Sequence, residues 1–208
     1  MNIGICGGTF DPFHRGHVDT VAAACDVMNW DRILYIPAYR QPFKTDREHA
    51  EGPHRFAMAI LGTLEREEMY VLPIELERGA ISYTVDTLEA LRTVYQYDTL
   101  DWIIGDDNLA QLDQWKSIDR IFELANFCVL TRRVGQAFQP VPQTGSLESL
   151  PQTRPTHGAI VFAKNPVVPI SSTEIRRRVA VGESIEDLVD PRVARYIHHY
   201  GLYRKEQA

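Results

Sequence analysis

Short apolar runs closed by glycine, proline or charge alternate along this chain with stretches whose apolar residues recur every three or four positions. Residues 2–6 form the first run, closed by Gly7 and Gly8, and read as a buried parallel strand ending in a tight turn. From 16 to 28, Val18, Val21, Ala22, Cys25 and Met28 keep helical spacing. Residues 32–37 are again strand-like, and 53–67 read as a helix with Phe56, Ile60 and Leu64 on one face. Residues 70–75 predict a strand that Pro73 marks as disturbed or at an edge. Thr84 is the expected N-cap of a helix bearing Leu88, Leu91 and Tyr95. A strand at 100–104 closed by Gly105, a mostly helical stretch at 106–124 and a strand at 126–130 follow.

Residues 135–157, rich in Gln, Pro, Ser and Thr, have no periodicity and read as a surface loop. A last strand at 159–162 precedes a short helical part at about 171–204, where Asp190 and Pro191 open a helix and Gly201 ends it. This alternation predicts a Rossmann-like α/β fold, with a mostly parallel sheet covered by helices on both faces. No internal repeat divides it, so one domain over 1–208 is expected.

Composition narrows the function little. Hydrophobic residues make up 44% and charged residues 24%, as in ordinary globular proteins. A net charge of -6 argues against a broad nucleic-acid surface but leaves room for a local phosphate site. Cys6, Cys25 and Cys128 have no metal-binding or redox spacing and read as small buried residues of a reducing compartment. The first residues do not have the pattern of a secretory signal, and no apolar window of about 18 residues occurs. A cytoplasmic protein without membrane contact is expected, and the sequence is compatible with a homo-oligomer.

The chemistry concentrates after the first strand, in Gly7-Gly8-Thr9-Phe10-Asp11-Pro12-Phe13-His14-Arg15-Gly16-His17. Glycines there let backbone approach a phosphate, and the following helix start offers N–H groups and partial positive charge to an anion. The spacing is neither that of a dinucleotide-binding fingerprint nor that of a Walker loop. His14 and His17, three apart on one side of the first turn, are suited to donate hydrogen bonds to phosphoryl oxygens. A lone histidine at a helix start is more often a cap, and His-x-x-His also suits a metal pair, but no further Cys/His cluster supports a metal. Further on, Ser171, Ser172 and Thr173 offer hydroxyls and helix-start N–H groups, and Arg176 lies one turn beyond on the same side. Arg177 and Arg178 face elsewhere.

The first string resembles the (H/T)xGH signature of the nucleotidyltransferase superfamily, and Ile170 to Arg176 is similar to its ISSTxIR phosphate loop. Residues 81–88 (ISYTVDTL), 102–107 (WIIGDD) and the GESIEDLVDPRVARYIHHYGLY segment extend the resemblance to bacterial nicotinate-mononucleotide adenylyltransferases over nearly the whole chain. It implies transfer of the adenylyl group of ATP, with Mg²⁺, to nicotinate mononucleotide, giving the dinucleotide and pyrophosphate without a covalent intermediate. It further implies that His14, His17 and Arg176 are catalytic. ATP would be bound by Gly7, Gly8, Thr9, Phe10, Gly105, Asp107, Ser171, Ser172 and Thr173. Acceptor contacts would come from Lys44, from Thr84 near the carboxylate and from Trp115 stacked on the pyridine ring. The chain departs from the family at Gln41-Pro42-Phe43-Lys44, where Phe43 stands in place of a histidine. Transfer to nicotinamide mononucleotide or phosphopantetheine, or a regulator without catalysis, are the alternatives. ISYTVDTL and the chain length weigh against phosphopantetheine, and the retained histidines and Arg176 against the regulator.

Overall fold

The structure, a computed structural model, describes residues 1–42, 49–130, 157–163 and 165–204. The elements run β1 (Asn2–Gly8), α1 (Arg15–Met28), β2 (Arg32–Pro37), α2 (Gly52–Thr63), β3 (Met69–Val71), α3 (Ile74–Arg78), α4 (Thr84–Val94) and β4 (Thr99–Gly105). A 3₁₀ helix (Asp106–Gln114) follows, then α5 (Ile118–Leu124), β5 (Asn126–Leu130), β6 (Ile160–Ala163), α6 (Ser172–Ala180) and α7 (Pro191–Tyr200).

The six strands form one sheet in the order β3-β2-β1-β4-β5-β6, and every neighbouring pair is parallel. Alternate side chains go to opposite faces. Ile33, Tyr35, Ile103, Cys128 and Leu130 pack with apolar residues of α1, α2, α6 and α7. Ile3, Ile5, Leu34, Ile36, Trp102 and Phe127 pack on the other face with Val85, Leu88 and Leu91 of α4 and Ile121 and Leu124 of α5. The α/β class with helices on both faces is therefore as the sequence predicts. The chain runs outward from β1 to β3, then crosses back to lay β4 beside β1. A crevice opens where the carboxyl ends of β1 and β4 part, which is where such sheets bind ligands.

Four boundaries depart from the sequence reading. The strand predicted at 70–75 is cut to Met69–Val71 at the sheet edge, because Pro73 has no N–H to donate and its carbonyl instead accepts the Glu77 N–H (2.9 Å), opening α3. Thr84 is the first helical residue of α4 and not its N-cap. That position belongs to Tyr83, with extended φ and ψ of -87° and 133°. The stretch 106–124 is broken at Ser117, whose φ of 54° is left-handed, so a 3₁₀ helix and α5 meet there at an angle. Helix α2 ends at Thr63, whose hydroxyl bonds back to Ala59 O (3.0 Å). Most of the 135–157 loop lies outside the described residues.

Candidate active site

The crevice holds a cavity of about 1050 Å³ lined from four directions. The β1–α1 connection, Gly7 to Asp11, forms its floor. A methyl group on Gly7 would lie 2.7 Å from Trp102 Cζ2, and one on Gly8 would lie 2.8 Å from Phe10 Cε1. The glycine pair is thus required by aromatic packing as well as by the open floor it leaves. Thr9 Oγ1 is buried without a hydrogen-bond partner among the described residues, a position in which a native hydroxyl is normally satisfied by a ligand or water.

His14 is the N-cap of α1 and His17 its third residue, so the two rings meet across the helix start, stacked with centroids 3.6 Å apart and planes 21° apart. The His14 backbone N–H donates to His17 Nδ1 (3.2 Å), so the neutral His17 imidazole carries its hydrogen on Nε2 and is a donor there. Phe13 stacks on the His17 ring at 5.2 Å, Phe10 meets it edge-on at 5.0 Å, and Tyr35 Oη donates to the His17 carbonyl (2.9 Å). Gly16 completes the arrangement, since a Cβ there would come within 3.0 Å of His14 Nδ1.

Helix α6 starts on the same cavity. Ser171 caps it by accepting the Glu174 N–H (3.2 Å), and Ser172 Oγ donates to Pro12 O (3.1 Å), tying this helix start to the β1–α1 loop. Arg176 donates from Nη1 to Asp11 O (2.5 Å) and from Nη2 to Thr173 Oγ1 (3.3 Å), and it lines the cavity. Arg177 and Arg178 instead pair with Glu174, Glu183 and Asp187 on the exposed side.

At the floor lies an ionic cluster around the buried Asp11 that the sequence does not disclose. Asp11, 2% exposed, accepts from Tyr203 Oη (2.6 Å) and the Ala50 N–H (3.2 Å) on one oxygen. Its other oxygen meets His49 Nδ1 (3.1 Å) and faces Arg176 Nη1 (3.7 Å). Arg55 is buried beside it, donating to Thr9 O (2.7 Å) and Ala50 O (2.8 Å). Burial pushes the Tyr203 hydroxyl well above the usual tyrosine range, with Asp11 adding to it, so this phenol is a standing donor. A carboxylate set between Phe10 and Pro12 in an apolar stretch is the only trace of this cluster in the sequence.

The fourth wall comes from Ser82, Tyr83, Thr84, Trp115 and Lys116. Trp115 follows the 3₁₀ helix and meets Phe127 edge-on at 5.8 Å while part of its ring stays on the cavity. Lys116 Nζ pairs with Asp86 (3.0 Å) above the Tyr83 ring. In this wall Glu75, which lines the cavity though only 3% exposed, accepts from Thr87 Oγ1 (2.7 Å). Burial pushes its carboxyl above the usual range, against the opposing hydrogen bonds of Thr87 and Ser82. A raised acid favours folding fully below its ordinary value of 4.5, and that contribution is lost as pH rises through the folded value. Urea midpoints measured from pH 4 upward should therefore show wild-type protein losing stability relative to Glu75→Gln as pH rises. A constant difference would mean that Glu75 keeps its ordinary affinity for the proton.

Of the residues singled out in the sequence, His14, His17, Arg176, Gly7, Gly8, Thr9, Phe10, Gly105, Ser171, Ser172, Thr173, Thr84 and Trp115 all line this one cavity. Asp107 is exposed and lies outside the lining, which takes in Asn108 next to it. Lys44 and Phe43 lie outside the described residues.

The cytidylyltransferase-like family matches residues 5–178. The "probable nicotinate-nucleotide adenylyltransferase" of Thermoanaerobacter sp. (strain X514) is 35% identical over 210 residues, covering 100% of this chain and 96% of the relative. That of Thermus thermophilus is 37% identical over 204 residues, covering 98% and 100%. The fold is similar to that of Plasmodium falciparum nicotinic acid mononucleotide adenylyltransferase complexed with NaAD, with a TM-score of 0.71, 20% identity and 97% of each chain covered. The same enzyme complexed with APC gives a TM-score of 0.70 at 19% identity, covering 97% of this chain and 96% of the other.

Proposed function

Since the chain belongs to the cytidylyltransferase-like family, and within it to the nicotinate-nucleotide adenylyltransferases, we propose that it transfers the adenylyl group of ATP to nicotinate mononucleotide, a step of NAD biosynthesis. The observation that carries this reading is the convergence of three helix starts, those of α1, α4 and α6, on one cavity. The substrates bring three anionic groups: the triphosphate, the acceptor phosphate and the ring carboxylate. Helix starts offer N–H groups and partial positive charge to such anions.

The acceptor phosphate is largely ionised at neutral pH, with a second pKa of about 6, so its attack on the α-phosphorus needs no general base. Attack forms one P–O bond as the bond to pyrophosphate breaks in line. Acceleration then rests on alignment and on neutralising charge as it moves to the leaving group. His17 Nε2–H, His14 and the N–H groups of α1 serve the reacting phosphates, and Arg176 with Ser171, Ser172 and Thr173 the distal ones. Among the described residues no three His, Cys, Asp or Glu side chains are grouped to hold a metal ion. Mg²⁺ enters as part of the Mg–ATP substrate, the usual binding mode of an ion that keeps its waters and takes phosphate oxygens. The whole activity is assigned to one domain over 1–208. Cysteines outside any disulfide support the cytoplasmic reading, and no helix among the described residues is long and apolar enough to cross a membrane.

At the other end, the N–H groups of Thr84 and its neighbours at the start of α4 suit a carboxylate better than an amide, which favours the nicotinate acceptor. Trp115 offers its indole plane to the pyridine ring. Trp115→Ala should weaken acceptor binding about tenfold, within the range for loss of one aromatic stacking partner, with ATP affinity nearly unchanged. Titrations showing the reverse pattern would overturn that role. Mass spectrometry of a mixture of protein, ATP, Mg²⁺ and nicotinate mononucleotide should detect nicotinate adenine dinucleotide, and its absence would refute the proposed reaction.

A further inference from the structure

His49 is neither part of the two signature strings nor close to them in sequence, yet it lines the cavity from the segment that follows β2. Its Nδ1 is engaged by the buried Asp11 carboxylate (3.1 Å), and the N–H of the next residue, Ala50, donates to the same carboxylate (3.2 Å). Ring and backbone are therefore fixed together. Asp11 is fixed in turn by Tyr203 (2.6 Å) and flanked by Arg55 and Arg176. Nε2 is the ring nitrogen left for a ligand.

The position of His49 indicates which ligand group it meets. Asp11 lies at a junction, with Arg176 reaching it from the start of α6 and His49 from the segment after β2. The first residues after β2 are joined to the wall that carries Thr84: Tyr39 N–H donates to Ser82 Oγ (3.0 Å), and Ser82 N–H donates to Arg40 O (2.9 Å). Asp11 thus holds Arg176, from the nucleotide-side helix start, through its main-chain carbonyl, and the His49 ring, from the segment after β2, through its carboxylate.

Resting on the adenylyltransferase reading above, we propose that His49 is a further substrate-binding residue, holding the phosphate of the mononucleotide acceptor through Nε2 while Asp11 orients its ring. In its imidazolium form, which carries a hydrogen on both nitrogens, the ring donates Nδ1–H to the carboxylate and Nε2–H to the phosphate, two charge-assisted hydrogen bonds that fix the attacking oxygen relative to ATP.

The test compares wild type, His49→Ala and His49→Gln in calorimetric titrations with nicotinate mononucleotide and with its nucleoside lacking the phosphate. Mg²⁺ and a non-cleavable ATP analogue are present, and steady-state KM values are measured alongside. Loss of a hydrogen bond to a charged group predicts that His49→Ala weakens mononucleotide binding about tenfold or more and raises its KM similarly. The KM for ATP and the nucleoside affinity should change less than about twofold, and His49→Gln, which keeps a donor, should recover part of the loss. Equal losses for mononucleotide and nucleoside, a rise confined to the KM for ATP, or no change would each overturn the assignment. Wild-type protein that binds no mononucleotide would overturn the adenylyltransferase reading itself, and this inference with it.

Discussion

Replacing His17 with alanine is expected to lower kcat about 10²- to 10³-fold, the size of effect seen when one preorganised donor is removed from a developing charge. The reason lies in how the ring is held. Nδ1 accepts the His14 N–H, Phe13 and Phe10 close on two sides of the ring, and His14 stacks on it at 3.6 Å. Nε2–H is therefore aimed before substrate arrives, at no cost in reorganisation when charge shifts to the leaving pyrophosphate. Because that charge is greater in the transition state than in bound ATP, kcat should fall far more than the KM for ATP rises. Folding should survive, since the ring is partly exposed and Phe13, Tyr35 and Val18 of the surrounding core are untouched. A folded variant with near-normal turnover would remove His17 from the chemistry.

The largest expected loss of stability follows from Asp11→Ala. One carboxylate accepts from Tyr203, His49 and the Ala50 N–H, and balances the buried Arg55 and the nearby Arg176. Its removal leaves a phenol and a guanidinium buried without their acceptor or counter-charge. Breaking a buried pair from one side typically costs about 3–5 kcal/mol. A urea midpoint shifted to match, together with loss of adenylyl transfer, is the expected result. Asp11→Asn keeps an acceptor for Tyr203 but not the charge, so it should fall between wild type and alanine. A stability change below about 1 kcal/mol in Asp11→Ala would show that solvent, and not this cluster, balances Arg55.

The amino-acid order disclosed the sheet and its helices because each apolar run is bounded by residues that stop it, and parallel strands need the helical crossovers seen as 3.6-residue periodicity. Strand order was not disclosed: nothing in residues 99–105 marks them as the neighbours of β1. Pro73 announced a disturbed edge strand, but its conversion into the start of α3 depended on a carbonyl accepting from Glu77. Within the site, the glycines, the two histidines and Arg176 were visible because each motif is local. Asp11 gave no comparable signal, as its partners lie 38, 165 and 192 residues away in sequence. Glu75 was hidden for a related reason, being read as part of a strand when it belongs to the cavity wall that carries Thr84 and Trp115.

The central claim is direct adenylyl transfer to a pyridine mononucleotide at this cavity. Pyrophosphate release by the purified protein with Mg–ATP tests it, measured with nicotinate mononucleotide, with nicotinamide mononucleotide and with no acceptor. The account predicts rapid release with nicotinate mononucleotide, one dinucleotide formed per pyrophosphate, slower release with the nicotinamide form and none without acceptor. Release with neither mononucleotide, or release at the same rate without an acceptor, would contradict it.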